Sequence, residues 1–133
     1  MDYVKDDGGR IEEYNIKPLK KNMISDCVVR SIAIALDQSY RQTLTELCEL
    51  SVKYGGMPND KQTYEPYLFD RGWIKNKPPR VSGRKIRLKH WRPYVFPRAI
   101  VSTSGHLTAV VDWTVRDTWD CREWCMNSFY TKE

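Results

Sequence analysis

Three side chains in this sequence, Cys27, His106 and Asp117, have the types and the chain order of a nucleophile, a base and an orienting acid. Cys27 lies in "NMISDCVVRSIAIALDQSY", residues 22–40, directly after Ser25-Asp26 and at the start of an apolar run. A cysteine that opens a helix gains from unpaired backbone N–H groups and from the positive end of the helix dipole, both of which favour the thiolate. The same position also suits a small buried hydrophobe. A partner base decides between the two.

The chain has two histidines. His90, in "RLKHWRP", lies in a run of like charges that discourages its protonation. His106, in "STSGHLTAVVD", begins an alternating strand, so its ring stands at a sheet end where a helix terminus can meet it. A third group must then orient the imidazole through its other nitrogen. Asp112 shares the His106 face but sits six residues along, roughly 20 Å at about 3.4 Å per residue, which is too far. If the hairpin turns over Asp112-Trp113, Asp117 falls opposite Thr108 and diagonal to His106. Asp120 falls on the other face of a regular strand, and a turn one residue longer would exchange the two faces.

The elements that must hold these residues follow from periodicity. From Asp26, apolar residues at 28, 29 and 32–36 cover nearly the whole circumference of a helix, which predicts a helix buried on most sides. "SYRQTLTELCELSVKYGG" predicts a second, with Ser39 and Gln42 in capping-box spacing, Cys48 and Tyr54 near its apolar face and a stop at Gly55-Gly56. A shorter third lies in "DKQTYEPYLFDRG", where Pro66 must sit in the first turn or kink the helix. Beyond Gly72, "WIKNK", "RKIRLKHW", "RAIVST", "HLTAVVD" and "TVRDTW" read as strands. Helices first and an antiparallel sheet after them argue for an α+β fold. At 133 residues one domain is expected: an N-terminal arm over 1–21, with a short strand through "RIEEYNI", a helical half over 22–72 and a sheet half over 73–133.

In "SDCVVRSIAIAL", "SGHLTAVVD" and "VRDTW" the chain resembles the papain-like cysteine peptidase superfamily, especially small bacterial and phage members related to the bacteriocin-processing peptidases. The resemblance implies a papain-like fold and hydrolysis of a peptide or isopeptide bond by a Cys27–His106–Asp117 triad. It also implies a phage or bacterial origin. Members usually carry a Gln several residues before the cysteine to complete the oxyanion hole; here Asn22 occupies that region and could donate the same amide hydrogen bond beside the Cys27 backbone N–H. Val28 stands where a small residue commonly follows the nucleophile.

Composition sets the competing readings. The net charge is +5, and the segment from Lys75 to Arg98 holds no acidic residue. A basic face of this kind suits an acidic protein or peptide substrate. It also suits nucleic acid, with Trp73, Trp91, Tyr94 or Phe96 stacking on bases. A third reading is a catalytically silent papain-like domain that binds a host protein. No stretch is apolar enough for a membrane span or a signal peptide, so a cytoplasmic protein is expected, in the host cytoplasm if phage-encoded. Four cysteines are too few and too uneven for a disulfide scaffold, and "CREWC" lacks the usual metal-binding spacing, so neither metal nor cofactor is expected. Cys48, Trp113, Trp119 and Trp124 are expected in the core, although one tryptophan could wall a substrate groove.

Overall fold

The computed structural model describes residues 1–17, 25–92 and 97–132. In chain order they form β1 (Asp2–Lys5), α1 (Arg10–Tyr14), α2 (Cys27–Leu36), α3 (Tyr40–Tyr54), α4 (Lys61–Asp70) and β2 (Ile74–Asn76). There follow β3 (Arg80–Val81), β4 (Arg84–Lys85), a 3₁₀ turn (Leu88–His90), β5 (Arg98–Thr103), β6 (His106–Val111), β7 (Thr114–Asp117) and β8 (Ser128–Thr131). The fold is mixed α+β, and none of its helices is long and apolar enough to cross a membrane.

Six strands make one sheet in the order β1-β7-β6-β5-β8-β2; β3 and β4 form a separate hairpin. The sheet is antiparallel except at one edge, where β1 runs parallel to β7. Alternation along the strands divides the core. Ile100, Leu107, Ala109 and Tyr130 face α2, α3 and α4, packing on Val28, Val29, Ile32 and Leu68. Val101, Val110 and Val115 face the other way, onto Leu88, Trp91, Cys121 and Met126 from the irregular segments.

The predicted helices form where expected. Ser39 caps α3 by accepting the Gln42 N–H at 3.0 Å, and Gly55 ends it at φ 86°. Pro66 lies inside α4. Three expectations are corrected. "RIEEY" is helix: Asp7 accepts the N–H groups of Gly9 and Ile11 and starts a turn there, and the arm's strand is "DYVK" instead. In "RKIRLKHW" only Arg84–Lys85 is strand, because the chain then bridges to Cys125 and tightens into the 3₁₀ turn. On α3, Tyr54 is exposed and Cys48 half-buried, so the buried stripe is Tyr40, Thr43 and Leu47.

Candidate active site

The hairpin between β6 and β7 decides which aspartate faces His106. Ala109 pairs with Arg116 and Val111 with Thr114, leaving Asp112 and Trp113 as a two-residue turn with φ 49° and 61°. Both angles are positive, as a type I′ turn requires. Continued one step, that register sets Thr108 opposite Asp117, so Asp117 and His106 share a face. His106 Nε2 and Asp117 Oδ2 are 2.6 Å apart, with Asp117 buried and His106 partly so.

Cys27 is the first residue of α2, and its thiol sits on the side of the His106 ring and the Leu107 N–H, both of which favour its thiolate. With Nε2 engaged by Asp117, Nδ1 is the ring nitrogen left for the thiol. Burial by itself would raise the thiol's pKa, but the His106 ring, the Leu107 N–H and the charges of His106 and Arg30 outweigh it and hold the thiol below its ordinary value. Burial would likewise depress His106; its bonds to Asp117, Cys121 and Cys27 prevail and push it up to about 11. Asp117 is held below the usual carboxylate range, because His106 and the Arg30 guanidinium overcome the effect of burial. Both shifts run toward a thiolate beside an imidazolium.

Two further charged residues complete the network. Arg30, buried on α2, donates to Asp117 Oδ1 at 2.9 Å and pairs with Asp26 one turn earlier. Asp26 also accepts from the Tyr40 hydroxyl at 3.1 Å. Asp26 is the N-cap of α2, yet its carboxylate caps no backbone N–H. It turns inward to Arg30, and the first turn of α2 stays without a side-chain cap at the wall of the cleft. A charged pair at i, i+4 within an otherwise apolar helix was the signal in the sequence for this network.

The cleft at Cys27 has a volume of about 1390 Å³ and takes in His106, Tyr64, Asn59 and Trp119. Trp119 lies over the imidazole, with ring centroids 4.7 Å apart, and Trp124 packs edge-on against it at 5.1 Å. Trp113 and Trp119 are half-buried and Trp124 is 42% exposed, so these three do not form the core; Trp119 walls the site. The fully packed tryptophans are Trp73 and Trp91, at 5% and 6% exposure, which removes both as stacking platforms for bases. Asn22, Tyr94 and Phe96 lie outside the described residues. His90 is exposed, and Asp112 and Asp120 are exposed away from the imidazole.

Cys121, the first cysteine of "CREWC", is fully buried against Asp117 Oδ2 at 3.7 Å. Its sulfur, His106 and Asp117 offer three potential ligand atoms within 4.8 Å of one another. Arg30 occupies the other oxygen of that carboxylate with a permanent positive charge, which disfavours a dication there. Cys125 is exposed.

Compared with known protein families, curated proteins and solved structures, the chain finds no match.

Proposed function

We propose that the protein is a thiol hydrolase of papain-like type, acting on a peptide or isopeptide bond. The observation that carries this reading is the convergence of Cys27, His106 and Asp117 at one end of the sheet, with the thiol at a helix N-terminus.

The chemistry follows from that arrangement. The Cys27 thiolate attacks the carbonyl carbon, a C–S bond forms, and the carbonyl electrons move to oxygen. Backbone N–H groups at the start of α2, that of Cys27 among them, are placed to stabilise this oxyanion. When the C–N bond breaks, imidazolium His106 delivers its proton to the leaving amine. Neutral His106 then takes a proton from water as the water attacks the thioester, and the acid and the thiolate are released. Asp117 keeps the ring oriented throughout, and Arg30 keeps Asp117 ionised.

The test is the pH dependence of alkylation at each cysteine, read by mass spectrometry. Cys27 is expected to react rapidly near pH 6, well ahead of Cys125, and to revert to an ordinary thiol's profile in His106→Ala. A Cys27 that reacts no faster than Cys125 would overturn the hydrolase. A reactive Cys27 whose loss leaves the protein's biological effect intact would point to the silent, partner-binding domain.

A further inference from the structure

The end of the sheet that carries His106 gathers the ends of all six strands. Lys5 pairs with Asp117 across β1 and β7, His106 with Thr103 across β6 and β5, Ser102 with Ser128 across β5 and β8, and Asn76 with Phe129 across β2 and β8. Lys5, on β1, and Lys77, just past β2, therefore stand at the two edges of this sheet end, with His106 of β6 between them and two residues beyond the Lys5–Asp117 rung. Six strands at about 4.8 Å spacing make that sheet end roughly 24 Å wide, the reach of about seven residues of extended peptide.

The charges along the cleft are predominantly positive. Lys5 and Arg10 stand on the β1–α1 wall, and Lys61 and Lys77 on the α4–β2 wall. Among the described residues none of these four has a carboxylate partner, whereas Lys75 is tied to Glu65 at 2.9 Å. The two carboxylates of the cleft are already engaged, Asp7 by the N–H groups of Gly9 and Ile11 and Asp26 by Arg30. Asp7 keeps its charge, but the four cations outnumber it, and a cleft concentrates the resulting positive field.

From this placement we infer that the cleft takes an extended acidic polypeptide segment, with carboxylates on both sides of the bond at Cys27. This rests on the hydrolase reading and adds the substrate class to it. Nucleic acid would meet the same charges, but Trp73 and Trp91 are buried, and a thiolate acyl acceptor has no use for phosphate.

The test uses heptapeptides with a chloroacetamide on the central residue, flanked by glutamates in one and by lysines in the other, with iodoacetamide as the neutral reference. At low salt the glutamate peptide is expected to alkylate Cys27 at least about tenfold faster than the lysine peptide, and the advantage should shrink in 0.5 M NaCl. The double variant Lys5→Glu, Lys77→Glu should lose about tenfold with the glutamate peptide while its iodoacetamide rate holds. Fast iodoacetamide labelling without a glutamate preference overturns the substrate class and leaves the nucleophile standing. Slow labelling by iodoacetamide itself overturns the thiol chemistry, and the substrate with it. Protection of Cys27 by oligothymidylate at lower concentration than by a plain glutamate heptapeptide would assign the cleft to nucleic acid instead.

Discussion

Arg30 and His106 hold opposite oxygens of one carboxylate: the guanidinium donates to Asp117 Oδ1 at 2.9 Å, and the imidazole meets Oδ2 at 2.6 Å. The aspartate is thereby fixed between a permanent cation from α2 and a titratable ring from β6. Orientation of the base and integrity of the core depend on the same residue.

Replacing Arg30 by Met should leave Asp26 as an uncompensated buried charge and Asp117 with His106 as its one charged partner among the described residues. Removing one partner of such a pair costs about 3–5 kcal/mol. A lowered urea midpoint in Arg30→Met, with slower Cys27 alkylation near pH 6 in the fraction that stays folded, is the expected result.

The pH dependence of stability follows from His106. Its ordinary pKa is 6.5 and in the fold it is about 11. The folded value is the higher one, so the ring's contribution is complete below pH 6.5 and is lost as pH rises through 11. Asp117, held below its ordinary 3.8, has the opposite sign: its contribution is present above that value and is lost as pH falls through its folded pKa. Urea titrations of the wild type and His106→Gln should show a stability gap that is widest near pH 6 and narrows steadily toward pH 11.

Trp119 covers a protonated imidazole, a contact worth about 0.5–2 kcal/mol. Trp119→Ala should lower the His106 pKa by about one unit, read from imidazole chemical shifts across a pH titration. An unchanged titration would reduce Trp119 to a groove wall.

Gly56 tests the packing of the α3–α4 connection. A Cβ there would lie 2.4 Å from the hydroxyl of Thr63, which is buried. Gly56→Ala should therefore destabilise the protein by about 1–3 kcal/mol, seen as a lower melting temperature.

The placement of Asp117 beside His106 was legible because it is local. The choice of Asp117 over Asp112 and Asp120 depended on one two-residue turn, and the pattern on either side of Asp112-Trp113 locates that turn. Cys27 was legible because helix starts have a chemical signature. The rest depended on contacts far apart in sequence. β1 takes its place only by pairing with β7, and "DYVK" alone carries no sign of a parallel neighbour. Arg30 looks, along the chain, like an interruption of an apolar helix; only the sheet end brings Asp117 to it. β8 is four residues of "SFYT" after an irregular stretch, too short to stand out by alternation.

The edge where β1 joins β7 also orders events during synthesis. The Tyr3 hydroxyl and the Asp6 N–H both donate to the Asp117 carbonyl, so the first strand made waits for the residue that orients the base. Arg30 is translated 87 residues ahead of Asp117, roughly 4–17 s at about 5–20 residues per second. Until Asp117 is made, Cys27 lacks the carboxylate that holds the His106 ring. In a nascent chain, Cys27, His106 and Asp117 therefore come together only when the strands that carry the last two have joined the sheet.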